Sequence, residues 1–300
     1  MSTPIYRVLE QLDTFTPLGL KFWDPVLDRP IVDGLRVTAW PLNSPTQRIV
    51  AVRNRSGIHT FRWLPGMRPV EHRYPDPVFF DASVPQRRGF VVTVEDLQSR
   101  FLPAAFRVDL PLPYGGVFLA EGSSSIPQGS TRGVYLFSAP SRRTDERLTA
   151  VRGELVVEGT PRLPLPWAHV VIGAPHGAAF HGLADEAGRF AVFMPYPSLE
   201  EGFAGSPGSF GHGSPIGDRG WNITLAVNGQ TGALGALPGT ELPEYRSVLD
   251  QAAASVWGAE PDPSALAESQ LSLRLQFGEQ LIVRSGTLPQ LVVTPAPLSP

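Results

Sequence analysis

Two stretches decide the fold: Asn54-Arg55-Ser56-Gly57-Ile58-His59-Thr60-Phe61-Arg62-Trp63-Leu64-Pro65 and Asp185-Glu186-Ala187-Gly188-Arg189-Phe190-Ala191-Val192-Phe193-Met194-Pro195. In each, a polar turn closes on a glycine, a strand of apolar or aromatic residues follows, and a proline ends it. Asn or Asp at the start of a turn can cap its own backbone, and glycine can take the positive φ that leads into the next strand. An element written twice predicts two β-sandwich modules in tandem. Neither copy carries a chemical motif.

Outward from these copies the β signals continue. Leu35, Val37 and Ala39 alternate with polar residues, and Arg48-Ile49-Val50-Ala51-Val52 leads into the first copy. Gly89-Phe90-Val91-Val92-Thr93-Val94-Glu95-Asp96 and Phe106-Arg107-Val108-Asp109-Leu110-Pro111 are β-branched or closing strands. Residues 21–112 therefore read as one sandwich, after an N-terminal leader at 1–20. Residues 113–131, rich in Gly, Ser and Pro, read as a linker with Ser124 near its centre.

Residues 132–300 read as the second sandwich. Val151, Gly153, Leu155 and Val157 form one face, Trp167-Ala168-His169-Val170-Val171-Ile172 a central strand, and Trp221-Asn222-Ile223-Thr224-Leu225-Ala226-Val227 another. Between them, residues 199–220 form a Gly/Ser/Pro-rich loop longer than a plain connection, with Phe203, Phe210 and His212 on it. Such a loop points to partner binding. The run Tyr245 to Trp257 has its apolar residues on one face, and predicts a helix over about 244–257 packed beside this sandwich. The fold class is thus all-β: two tandem immunoglobulin/prealbumin-like β-sandwich modules, with one helix in the C-terminal module.

Composition narrows the function. The 32 Pro and 30 Gly argue for many short elements and abrupt turns. A formal net charge of −3 gives no general attraction to nucleic acid or an anionic membrane. With no cysteine, disulfides, zinc knuckles and thiol nucleophiles are excluded, and assembly in a reducing cytoplasm is expected. The start of the sequence lacks a signal-peptide pattern, and no run approaches the roughly 18 apolar residues of a spanning helix.

No catalytic, cofactor-binding or metal-binding constellation is expected. His176 and His181 lie near Asp185 and Glu186, the one histidine–carboxylate cluster, but a surface turn explains these residues without a metal. Gly205-Ser206-Pro207-Gly208 lacks the strand–turn–helix context of a hydrolase nucleophile. Trp23, Trp40, Trp63, Trp167, Trp221 and Trp257 fall mostly within strand patterns, which assigns them to cores. Arg142 and Arg143, in a basic stretch offset by Asp145 and Glu146, join Ser124, Phe203, Phe210 and His212 as partner-binding candidates.

The sequence Ala168-His169-Val170-Val171-Ile172 followed by Gly182-Leu183-Ala184-Asp185-Glu186-Ala187-Gly188-Arg189-Phe190 resembles the carboxypeptidase-regulatory-like, or prealbumin-like, sandwich. Its mark is a turn of the type Ala-Asp-x-x-Gly-x-Phe, and the N-terminal copy has Asn54 in place of the Asp. The whole chain is also similar to accessory proteins of phage-tail-like contractile injection systems. That similarity rests on Ser56-Gly57-Ile58 through Leu64-Pro65-Gly66, Arg100-Phe101-Leu102-Pro103, Leu136-Phe137-Ser138-Ala139-Pro140-Ser141-Arg142 and Gly182 to Arg189. It implies a non-enzymatic structural or adaptor subunit, oligomeric in the particle, whose partners are tube, sheath or terminator proteins. The cap or terminator end is favoured over the baseplate end. A surface- or carbohydrate-binding module using Phe203 and Phe210 is the alternative from another class.

Overall fold

The computed structural model describes residues 16–67, 87–112, 117–118, 133–145, 147–196, 220–262, 264 and 266–296. Residues 1–15 of the expected leader, all but 117–118 of the expected linker, and residues 199–219 of the expected loop lie outside the described residues. So do Ser124, Phe203, Phe210, His212 and the side chain of His176. Among the described residues the regular structure is β apart from one 3₁₀ turn and one short helix, as the patterning predicts.

The first sandwich is made of β1 (Gly19–Leu20), β2 (Phe22–Asp24), β3 (Arg29–Pro30), β4 (Leu35–Pro41), β5 (Ile49–Val50), β6 (Val52–Arg53), β7 (His59–Thr60), β8 (Arg88–Asp96), β9 (Ala104–Leu110), β10 (Val117–Phe118) and β11 (Val134–Tyr135). Its long sheet is antiparallel, ordered β5-β4-β8-β9, with Ala39 opposite Val92 and Val92 opposite Phe106. Alternation sends Val37, Ala39, Phe90, Val92, Val94, Phe106 and Val108 to one face. There they meet Leu20 and Phe22 from the two small sheets, β10-β1-β7-β6 and β11-β2-β3, and Leu18 and Phe61 from the residues flanking β1 and β7. Each of the Val, Leu and Phe side chains, fully removed from water, contributes about 1.5–3 kcal/mol before ordering costs.

The second sandwich contains β12 (Leu148–Val157), β13 (His169–Gly173), β14 (Ala179–Leu183), β15 (Arg189–Pro195), β16 (Gly220–Asn228), α1 (Tyr245–Leu249), β17 (Ser255–Val256), β18 (Leu271–Gln276), β19 (Leu281–Val283) and β20 (Leu291–Thr294). One sheet is centred on β12, antiparallel to β15 and parallel to β19 and then β20 along its other edge. The other is antiparallel, ordered β14-β13-β16-β18. Val151, Leu155, Phe190, Val192 and Met194 from the first sheet pack on Val170, Ile172, Ile223, Leu225 and Val227 from the second. Gly153 makes room for the Phe190 ring: a Cβ there would lie 2.7 Å from the ring carbon Cε1.

The repeated turn takes one geometry in both copies. Asn54 Oδ1 accepts hydrogen bonds from the Ser56 and Ile58 amides at 3.0 and 2.9 Å. Asp185 Oδ1 accepts from the Ala187 and Arg189 amides, both at 2.9 Å. The fourth residue is left-handed in each, Gly57 at φ 77° and Gly188 at φ 79°. A third copy follows β8. Asp96 accepts from the Gln98 and Arg100 amides at 3.3 and 2.7 Å, and Ser99 holds the left-handed position at φ 55°. Arg100 closes on Asp96 as Arg189 closes on Asp185, with Nε–Oδ2 distances of 3.0 and 2.9 Å.

Two features depart from the sequence-based expectation. The boundary expected near 131/132 does not divide the packing, because Val134–Tyr135 pairs in parallel with Phe22–Trp23 and Leu136 and Phe137 enter the first core. The helix expected over 244–257 forms only over Tyr245–Leu249. Gln251 ends it, its side-chain amide donating to the Val248 and Trp167 carbonyls at 2.9 and 2.7 Å. Past that point Ala254 donates its amide to Val227 O and Ser255–Val256 pairs with β20, so sheet hydrogen bonds override the helix propensity of the alanines.

The short helix also packs elsewhere than expected. Tyr245, Val248 and Leu249 belong to the first core, and Tyr245 Oη donates to Tyr135 O at 2.8 Å. Residues 234–249 thus form a strap from the second sandwich over the first. Leu237 covers the outer face of the β4–β8–β9 sheet against Trp40, Val91 and Ala105. Trp40 Nε1 donates to Pro238 O at 2.8 Å and Arg48 Nη2 to Gly239 O at 2.5 Å.

Candidate functional site

Of the histidine–carboxylate cluster read from the sequence, His181 and Asp185 turn to different partners. Asp185 is buried and spends both carboxylate oxygens on its own turn and on Arg189. His181 turns instead to His169, with Nδ1 3.1 Å from Nε2 of His169 and the rings stacked. The hairpin register explains this: Val171 faces His181 and His169 faces Leu183, which makes the histidines diagonal neighbours on one face. Asn228 Nδ2 lies 3.4 Å from His169 Nδ1, and Phe137 of the first sandwich meets the His169 ring edge-on.

His169 is fully buried, and its pKa is lowered to about 4 by burial, with His181 a smaller cause. Burial also lowers His181. Neutral tautomers satisfy the chain: Asn228 donates to His169 Nδ1, whose Nε2–H then donates to His181 Nδ1. The pair is thereby a neutral, polar part of the contact between sandwiches. Among the described residues no group of three or more His, Cys, Asp or Glu side chains could hold a metal ion.

The two described partner-binding candidates differ. Arg143 is exposed. Arg142 is drawn inside: Nη2 is 2.7 Å from Asp24 Oδ2, Nη1 donates to Ser138 Oγ at 2.9 Å, and the guanidinium lies over Phe101 and Phe193. It joins the two sandwiches, and its charge is used within the chain.

Two surface features were not anticipated. Tyr196, Trp221 and Phe277 form a half-buried aromatic cluster at one end of the second sandwich, with ring centroids 4.7–6.4 Å apart. Tyr196 Oη accepts from the Gly278 amide at 3.0 Å. The sequence signal was an aromatic at the end of each of three strands, with pairing needed to bring them together. At the other feature, residues 157–167 and 230–243 enclose a cleft of about 590 Å³. Its walls are largely Leu and Pro, with Trp167, Gln230, Glu158 and Glu241 as polar-capable groups. Its volume suits a small ligand or a short peptide segment.

Among the described residues no helix is long and apolar enough to cross a membrane. No family model matches the chain, and no curated protein matches it. Among solved structures, the Bacillus anthracis TIE protein is 10% identical with a TM-score of 0.21, over 92% of this chain and 34% of that one. The chain thus spans about a third of the length of that protein.

Proposed function

We propose that this chain is a non-enzymatic structural or adaptor subunit of a phage-tail-like contractile injection particle, seated at the cap or terminator end and assembled in the cytoplasm. The observation that carries the reading is the interlocking of the two sandwiches. The strap, the Arg142–Asp24 pair and the His169–Phe137 contact make one body from two modules, a shape suited to transmitting position between neighbouring subunits. Two of the polar groups that could have suggested catalysis, His181 and Asp185, are engaged within this architecture. The particle is what the resemblance of the quoted sequence segments to injection-system accessory proteins implies. Purifying particles through a tag on this chain tests the proposal: sheath and tube proteins should co-purify in fixed ratio, and recovery of the chain alone would sink it.

A second reading rests on the Tyr196–Trp221–Phe277 cluster, because half-buried rings keep part of their faces open for stacking on a sugar ring. It predicts retention on a glycan array that Trp221→Ala abolishes. An adaptor shows no sugar dependence.

A further inference from the structure

A second cleft, of about 620 Å³, lies on the first sandwich between the β4–β5 turn, the Pro65-Gly66 turn and the start of β8. Asn43, Ser44, Gln47, Arg87 and Arg88 line it, with Pro41, Leu42 and Pro65 as apolar walls. Among the described residues, none of these five polar side chains makes a hydrogen bond or an ion pair. Among the described residues no carboxylate lines the cleft. Asp109 approaches its floor at Gly89 but is paired with Arg107 at 3.0 Å, and the neighbouring Arg48 is spent on the strap.

The local backbone is shaped to admit one of these arginines. Gly66 sits at φ 77°, and a Cβ there would collide with the guanidinium of Arg88. The arginine therefore lies across bare backbone, with its donors left over. Two guanidinium groups beside hydroxyl and amide donors match a carboxylate, which accepts bidentate bonds from such a fork. The apolar walls suit side chains flanking that carboxylate. The net charge of −3 disfavours a nucleic-acid backbone as the occupant.

We infer that this cleft docks an acidic, partly apolar peptide segment of a neighbouring subunit, its carboxylates held by Arg87 and Arg88. This inference rests on the adaptor reading and names the chemistry of one contact.

Fluorescence anisotropy with a labelled peptide of alternating Asp and Leu tests it on the full chain. The expected result is saturable binding that the double change Arg87→Gln and Arg88→Gln weakens at least about tenfold, while Arg284→Gln, at an exposed position of the second sandwich, leaves it unchanged. Gln47→Glu, which places a carboxylate inside the cleft, should weaken binding as well. Circular dichroism confirms that each variant is folded. Binding unchanged in the double variant would overturn the inference, as would preference for a single-stranded oligonucleotide or inorganic phosphate over the peptide. The adaptor reading fails separately, if particles form normally without the chain while the peptide still binds.

Discussion

Arg142 Nη2 lies 2.7 Å from Asp24 Oδ2, with both side chains nearly excluded from solvent, and this pair pins the segment between the sandwiches to the start of the first. Asp24 also accepts the Val26 amide at 2.9 Å, so the carboxylate is well supplied with donors. Removing one partner of a buried pair leaves the other charge without compensation, which costs about 3–5 kcal/mol. Arg142→Ala should therefore lower the urea midpoint sharply. Arg143→Ala, at the next and exposed position, should stay within about 0.5 kcal/mol of the parent.

Stability should fall with acid before the carboxylates titrate. Burial holds His169 neutral with a pKa of about 4, while the unfolded chain takes up that proton near 6.5. Between those values the unfolded state binds more protons, so stability rises with pH and is lost as pH falls from about 6.5 toward 4. From pH 7 to pH 5 the loss from His169 alone is about 2 kcal/mol. His59, lowered to about 4 by burial and then by Arg53, acts in the same direction. Urea titrations at pH 7 and pH 5 should show the drop, and His169→Phe should reduce it.

The three capped turns predict opposite outcomes for similar exchanges. Ser99 holds a left-handed conformation that an L side chain resists, so Ser99→Gly should be neutral or stabilise by up to about 1 kcal/mol. Gly188→Ser should destabilise, since its Cβ would sit 2.5 Å from Leu155 O in addition to the backbone strain. Thermal unfolding of the two variants side by side decides the matter.

The strap should come loose when its closest approach is blocked. Gly239 sits at φ 82°, and a Cβ there would fall 2.6 Å from Pro45 and 3.1 Å from Trp40 Nε1. Gly239→Val should lift the strap from Trp40 and open residues 234–243 to limited proteolysis. Equal resistance in parent and variant would show that the strap is held by other contacts.

These relationships were unequally visible in the sequence. The Asn54 and Asp185 turns and the alternating strands were legible because local residues determine them: a capping side chain, a positive-φ glycine and a period of two. The third turn was hidden because Ser99 stands where the pattern asks for glycine, and its buried Asp96 is identified only by its bonds. Tyr245 to Trp257 reads as a helix until Gln251 meets Trp167 O, a partner 84 residues away. The His169–His181 pair was within reach, since a hairpin closed at Asp185 puts the two on one face. Arg142 could not have been placed from sequence, because Asp24 lies 118 positions earlier. Local chemistry writes the turns, and distant packing decides which polar groups remain for partners.

The most direct measurement is negative-stain imaging of particles assembled with and without this chain. The account predicts that particles lacking it are untermined in length or missing their end structure, and that adding back the purified chain restores them. Intact particles of normal length and normal termination in its absence would contradict a structural role.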